Sequence, residues 1–312
     1  MSFQELSALY LQQHLSKKSS YTYYVRLFNQ YFADWTEHKT RFEIRAWHLS
    51  LASTPTHANK GLGFLKAMYA WGQNTGDATG KQALWGDDNP ARGVRRHNTN
   101  SRERILSDLE LVRLFTFLEF CYPKLATFVI VLLCTGCRMS EAREMKWSHL
   151  NMDEAIWYKP RTKNGTPHRI PLSAQALAAI QAMPREGDYV FMGIYGRCWS
   201  RCGAEKAWGI FRKGPGLQSL TLHDFRRTVG SRVYEQTKDM VLVKAILNHR
   251  ANSITEIYTR THYKKIADAL QHHAGTIWAL RQQSVSLMPS TYQEVHHEIA
   301  PRRRATDQSL GM

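Results

Sequence analysis

One Asn-Gly pair, Asn164–Gly165, narrows the fold more than any other feature of the chain. It lies in AIWYKPRTKNGTPHRIPLS, between two β-favouring runs, and Asn-Gly accepts the positive φ angles of a tight hairpin turn. Almost everywhere else the apolar residues recur at three- and four-residue spacing, which is helical. FQELSALYLQQHL, YTYYVRLFNQYFADW after Ser19 and Ser20, and HANKGLGFLKAMYAWGQ read as helices before the hairpin, as do ELVRLFTFLEF and KLATFVIVLLC. EMKWSHL is a short strand-like piece, and from SAQALAAIQAMP to about Ser284 the chain is again mostly helical. The expected fold is mainly α with a small antiparallel β-sheet.

That helical pattern breaks once, at NPARGVRRHNTNSRER, where Pro90 and Gly93 interrupt it and Arg92, Arg95, Arg96, Arg102 and Arg104 concentrate positive charge. Ser107 and Glu110 then form a capping box, so a new helix and a new domain start there. The reading is a helical domain over 1–88, a basic linker over 89–103, a second domain over 104–284 and a flexible tail over 285–312. A chain of 312 residues, 43% hydrophobic, is long enough for two cores.

The formal net charge of +16, spread along the chain, calls for a polyanionic partner. No run approaches the length of a membrane span, and the start MSFQELSALYLQQHL lacks the charged and apolar regions of a signal peptide, so a soluble cytoplasmic protein is expected. Five cysteines make an odd count, which argues against a disulfide framework. Cys134 and Cys137 have half-zinc-site spacing, with Cys198 and Cys202 as a conceivable second half, but Cys134 ends FVIVLLC and reads better as a core residue.

Several segments carry residues suited to phosphoryl transfer. TGCRMSEAREMKW places Arg138 at a predicted helix start just after Gly136, where a guanidinium and free N–H groups can address one anion. Most arginines at such positions are simply solvated. LTLHDFRRTVGSRV sets His223 and Arg226 on one helical face, although any basic surface helix does the same. LNHRANSITEIYTRTHY supplies His249 and, nine residues later, Tyr258. A phenol with pKa of about 10 needs cationic and basic neighbours to become a nucleophile.

In order and spacing, TGCRMSE, RTKNG, LHDFRR, LNHR and EIYTR together resemble the tyrosine recombinases, the family of phage integrases and chromosome-resolving recombinases. The resemblance implies a two-domain architecture, a helical core-binding domain followed by an α+β catalytic domain. It implies that Arg138 and Arg226 clamp the scissile phosphate and that Lys163 protonates the leaving 5′ oxygen. His223 and His249 would handle the tyrosine's proton or bond the phosphate. Tyr258 would attack phosphorus to leave a 3′-phosphotyrosyl link, with no cofactor and no metal. Glu141 would brace Arg138. Lys159, Arg161 and Arg169 share the hairpin with Lys163 and remain alternatives to it. Asn248 stands where relatives commonly carry glycine, a place where a left-handed backbone is needed. Tyr263, the rival nucleophile, reads as a packing residue.

The resemblance further implies a clamp on double-stranded DNA, a homotetramer on that DNA, nucleoid association and, in some systems, a DNA-bending protein or excision factor. Arg92, Arg95 and Arg96 in the linker and Arg201, Lys206, Arg212 and Lys213 around RCGAEKAWGIFRKG are the expected DNA contacts. The helix after Tyr258 is expected either to pack in its own subunit or to dock on a neighbour, and the resemblance implies docking in a tetramer. The helical domain begins within a few residues of Met1, which fits a simple phage-type integrase without an added amino-terminal module. A dimer-resolving recombinase is the alternative, ahead of a type IB topoisomerase or a non-catalytic regulator.

Overall fold

The computed structural model describes residues 1–18, 20–77, 79–80, 82–86, 88–100, 102–160, 167–248 and 260–286, the last stretch with side chains at 263–282. It separates into two compact units, Met1–Arg102 and Glu103–Met312.

In the first unit, α1 (Phe3–Leu9) starts on a Ser2/Glu5 capping box and runs into a π-helical turn over Tyr10–Leu15. It is followed by α2 (Tyr21–Tyr31), α3 (Arg41–Ser50) and α4 (Pro55–Gln73). The helical reading of this region left α3 unmarked. Its signal is a second capping box, in which the Glu43 carboxylate accepts from the Thr40 N–H at 2.9 Å. Phe32 is the hub of the core, with Phe64 stacked at 5.7 Å and Trp35 and Trp47 each at 5.0 Å. α4 comes close to α3 because Gly61 has no side chain, and a Cβ there would lie 2.6 Å from the Trp47 ring.

The segment read as a linker belongs, over its first half, to this unit. Ala91 and Val94 are buried in its core. The Lys66 ammonium donates to the Val94 carbonyl at 2.8 Å, and the Asn59 amide brackets His97, donating to its carbonyl at 2.8 Å and accepting from its N–H at 2.9 Å. The His97 ring stacks on buried His48 with centroids 4.0 Å apart. Arg92, Arg95 and Arg96 alternate with these anchors and point outwards. The arginines suggested a solvated connector, whereas the apolar residues between them, three apart, pin the chain down.

The second unit opens with α5 (Asp108–Leu118), whose Ser107/Glu110 capping box forms as read. α6 (Pro123–Thr135) is almost entirely buried. After α7 (Met139–Arg143) the segment EMKWSHL makes an antiparallel bridge from Lys146 to Tyr189, a single 3-10 turn and then the two-residue strand β1 (Leu150–Asn151). β1 pairs antiparallel with β2 (Ile156–Lys159), and β2 with β3 (His168–Pro171) in the register Trp157↔Ile170 and Lys159↔His168. The hairpin is therefore present, while its Asn164–Gly165 turn lies outside the described residues. α8 (Ala174–Gln181), α9 (Arg201–Phe211), α10 (Leu222–Thr237), α11 (Met240–Ile246) and α12 (Arg260–Ser286) complete the unit. The fold is mainly α with one small antiparallel sheet. Among the described residues no helix is long and apolar enough to cross a membrane. The tail from residue 287 lies outside the described residues.

α12 packs against α5, α6 and α10. Ile266, Leu270, Ala274 and Ile277 form its buried stripe, at the four- and three-residue spacing of one helical face. His273 on the same helix is fully buried, its Nε2 2.9 Å from the Leu133 carbonyl near the end of α6. Burial drives this imidazole down to about 4, so it is neutral in the folded chain at neutral pH. An unfolded histidine titrates near 6.5, so below that pH the unfolded chain takes up a proton that the native chain refuses. The stability His273 contributes is complete above the unfolded value and falls away as pH drops towards the folded one. Urea unfolding at pH 7.5 and pH 5.5 is expected to show His273→Gln losing about 1 kcal/mol less than wild type over that interval.

Candidate active site

The site begins where α6 must stop. Gly136 sits at φ +62°, closing the helix with its N–H on the Leu132 carbonyl at 3.0 Å. A Cβ at this position would meet Leu247 Cδ2 and Val229 Cγ1, both at 3.0 Å, so left-handed backbone and close packing both demand glycine. Two residues on, Arg138 has extended backbone and is the N-cap of α7. Glu141 folds back to it: one carboxylate oxygen accepts from the Arg138 N–H at 2.9 Å and the other from Arg138 Nη1 at 3.1 Å. The position read as a brace for the arginine makes that contact.

α10 brings in the next pair. Its first turn is fixed by buried Asp224, which accepts from the Thr221 N–H and hydroxyl, each at 2.8 Å, and from Arg227 at 2.6 Å. That cap sets His223 and Arg226 in the opening turns of the helix. Arg226 is 4% exposed and donates to the Gly136 carbonyl at 2.8 Å and to the Leu247 carbonyl. Arg138 Nη2 donates to the next carbonyl, that of Asn248, at 3.3 Å. Two guanidiniums from α7 and α10 thus meet consecutive carbonyls at the end of α11. Asn248 has φ +45°, the left-handed backbone expected of it.

Electrostatics follow from this crowding. Burial, then the like charge of Arg138, pull Arg226 down to about 10, which leaves it cationic at neutral pH. Partial desolvation, with Arg227, Arg226 and Arg138 nearby, holds His223 below its ordinary value, so its imidazole is predominantly neutral at pH 7 and free to accept a proton. Burial raises the Glu141 carboxyl, but Lys159, the Arg138 N–H and the Arg138 guanidinium outweigh it and hold it below the usual carboxylate value.

Arg138, Glu141, His223 and Arg226 are brought together. Lys163, His249 and Tyr258 lie outside the described residues, which stop at residue 160, resume at 167, stop again at Asn248 and resume at Arg260. Tyr263 is described, half-buried, with the Arg169 guanidinium 5.7 Å from its ring and a phenol raised by burial, as suits a packing residue. Of the expected DNA contacts, Arg201, Lys206 and Lys213 are exposed on or just past α9. Arg212 is not a free surface cation, because its guanidinium donates to the Leu220 carbonyl and so closes the turn after α9.

Near the site lie Lys159, which the sequence offers only as an alternative to Lys163, and His168, which no sequence motif marks. Lys159 is 7% exposed with Nζ 3.6 Å from Glu141 Oε1, and His168 faces it across the hairpin. The signal was in the strand alternation, since Lys159 is in phase with buried Trp157 and out of phase with exposed Tyr158.

A phage integrase family model matches residues 104–265. The shufflon-specific DNA recombinase of Escherichia coli is 29% identical over 183 residues, 56% of this chain and 45% of that protein. Tyrosine recombinase XerA of Pyrococcus furiosus is 24% identical over 150 residues, 46% of this chain and 52% of that one. The chain spans about half the length of these curated relatives. Among solved structures, a lambda integrase dimer bound to a COC′ core site superposes with a TM-score of 0.63 at 18% identity, covering 81% of this chain and 97% of that one. The Tn1549 transposon integrase in complex with transposon right-end DNA gives 0.61 at 17% identity, covering 87% and 99%. At these identities the likeness is one of fold.

Because the site hangs on the Gly136 turn, Gly136→Ala is expected to cost about 2–4 kcal/mol, from left-handed strain and overpacking together. Gly209→Ala in α9, where a Cβ meets nothing within 4 Å, is expected to be neutral or to stabilise by up to about 1 kcal/mol. Paired urea unfolding curves check both.

Proposed function

The chain belongs to the phage integrase family, and from that premise we propose that it is a site-specific recombinase that cleaves and rejoins double-stranded DNA through a covalent bond to Tyr258. The observation that carries this reading is the convergence of Arg138 and Arg226 on the consecutive carbonyls of Leu247 and Asn248, immediately before His249 in sequence and beside His223. Two guanidiniums whose acceptors are mostly main-chain carbonyls keep donors and charge available for a phosphate's non-bridging oxygens, where negative charge grows in the transition state. In the proposed step the Tyr258 oxygen bonds to phosphorus and its proton passes to the neutral His223 imidazole. The bond from phosphorus to the 5′ oxygen breaks, and that oxygen takes a proton from Lys163. His249 bonds the phosphate or assists the proton transfer. The reverse attack by a 5′ hydroxyl rejoins the strand, and because the phosphotyrosyl link conserves the bond, no external energy source enters.

The DNA itself is proposed to lie against basic surface in both units. In the first unit an open hollow of about 490 Å³ is lined by Tyr24, Asn59, Lys60, Gly63, Arg96 and His97. Lys60 lies 5.2 Å over the Tyr23 ring, which orients its ammonium. In the second unit Arg201, Lys206 and Lys213 line or follow α9. Assembly as a homotetramer on DNA, integration as the biological outcome and the use of a DNA-bending protein or excision factor belong to the same proposal. Lambda integrase has been solved as a tetramer bound to a Holliday junction.

Incubation of wild type and Tyr258→Phe with a nicked suicide duplex carrying a candidate core, followed by a denaturing gel, tests the chemistry. A DNA-linked protein band is expected in wild type alone. Equal bands in both would move the nucleophile elsewhere, and tight binding with no band on any core would favour a non-catalytic regulator. Relaxation of supercoiled plasmid without recombination would favour a topoisomerase. For the DNA surface, Lys60→Ala and Arg96→Ala are each expected to reduce the slope of log affinity against log salt by about 0.9, measured on duplex DNA of any sequence.

A further inference from the structure

Lys159 is a charged side chain in a place where charged side chains are rarely found. It is 7% exposed, on the inward face of β2, with its ammonium 5.4 Å from the Trp157 ring centroid. Its Nζ lies 3.6 Å from Glu141 Oε1, the same oxygen that accepts from Arg138 Nη1 at 3.1 Å. An ammonium is costly to bury without a partner, and here the carboxylate that braces Arg138 is also the partner of Lys159. We infer that Lys159 is a positioning residue of the strand-cleaving centre, a buried cation that acts on Arg138 through Glu141 and ties the β2–β3 hairpin to the phosphate clamp. This rests on the recombinase reading above and assigns a role within it.

With Glu141 alone beside it, the charge of Arg138 would be cancelled by its own brace. Sharing that carboxylate with Lys159 leaves buried Arg226, Lys159 and Glu141, with partly buried Arg138, carrying an excess of positive charge, which a phosphate can relieve. Lys159 is too deep to be a surface phosphate ligand, so its contribution belongs to cleavage and not to the salt-dependent grip on DNA. The groups facing this pair are Arg138 on α7, His168 on β3, Arg226 on α10 and the buried Cys137 thiol before α7. Glu144 and His149 also feel the lysine's charge. Burial drives His168 down to about 4, so it adds no charge near neutral pH. Lys159 is the strongest of the influences that hold the Glu141 carboxyl down, and without it that carboxyl rises.

Two readouts on the full chain test this. In ¹³C-carboxyl NMR titrations, with Glu141→Gln identifying the resonance, Lys159→Met is expected to move the Glu141 titration to higher pH. An unmoved titration overturns the inference, and this readout stands even if no DNA core yields a covalent adduct, a failure that would count against the recombinase reading instead. In single-turnover suicide cleavage, Lys159→Met is expected to be slower by about 10- to 100-fold. DNA affinity and its salt slope should be unchanged, and the acid limb of the pH profile should move upwards, an effect absent when Glu141→Gln is combined with it. Lys159→Arg keeps the charge and is expected to stay within tenfold of wild type. It carries the kinetic test if the methionine variant does not fold. Wild-type cleavage by Lys159→Met overturns the inference, as does parallel loss of DNA affinity. Complete loss of cleavage in a folded, DNA-binding Lys159→Arg would overturn it too, by making the lysine itself the proton donor.

Discussion

Arg226 is the buried cation around which the second unit is arranged. Among the described residues it has no carboxylate within ion-pair distance, and it is held by main-chain carbonyls at Gly136 and Leu247. Carbonyl dipoles satisfy the N–H groups without cancelling the charge, so the guanidinium keeps its field inside a region that water does not screen. A cation in that state costs stability unless the surrounding backbone is fixed, and the fixing is visible. Gly136 ends α6 in a conformation only glycine adopts freely, Val229 and Leu247 close against it, and His273 satisfies the Leu133 carbonyl one turn earlier. A hydrophobic core, a helix cap and a neutral histidine together hold one carbonyl where one arginine needs it.

The first unit solves a different problem with different means. Its core is a lattice of aromatic rings around Phe32, large rigid side chains that bury much area for little lost rotamer freedom. Polar side chains then lash the exit strand to the bundle: Asn59 and Lys66 from α4 reach the backbone of His97 and Val94, and the Asn89 amide reaches back to Lys66. The arginines between those anchors project from a surface that is held. Charged groups on held backbone lose less conformational entropy when they meet phosphates than the same groups on a free linker would.

The sequence made the helical character, the hairpin and the Ser107 cap legible because each depends on local rules: period, turn chemistry and capping. The linker was misjudged over 89–97 because burial of Ala91 and Val94 is a tertiary fact, invisible beside the arginines next to them. α3 was not legible although Thr40 and Glu43 mark its start, since of its apolar residues only Ile44 is buried while Phe42 and Leu49 are exposed. EMKWSHL has strand character only in pieces, since Lys146 bridges Tyr189 and Leu150–Asn151 pairs with β2, while Trp147–His149 between them make a 3-10 turn. In the site, Arg138, Glu141, His223 and Arg226 were legible from motif order. Lys159 was visible only as one of several hairpin cations, because a lysine's burial depends on a carboxylate eighteen positions earlier that the strand pattern does not name. Arg212 shows the reverse case, a basic residue on a basic helix that is engaged by its own backbone.

The division of labour within the site has a physical logic. The cations that would stabilise charge, Arg138 and Arg226, are set by helix starts and braced by buried partners, so their field exists before any DNA arrives. Of the groups expected to move protons or form bonds, His223 stands in the first turn of α10, and Lys163, His249 and Tyr258 lie outside the described residues. Two described residues near them in sequence are tied to the cations, Lys159 through Glu141 and Asn248 through its carbonyl. Electrostatic stabilisation works best when nothing has to reorganise at the moment of reaction, whereas a nucleophile and a proton donor must approach one phosphorus and then withdraw. Arg226, buried in the opening turns of α10, and Arg138, braced by buried Glu141, meet the first demand through backbone carbonyls and one carboxylate already in place.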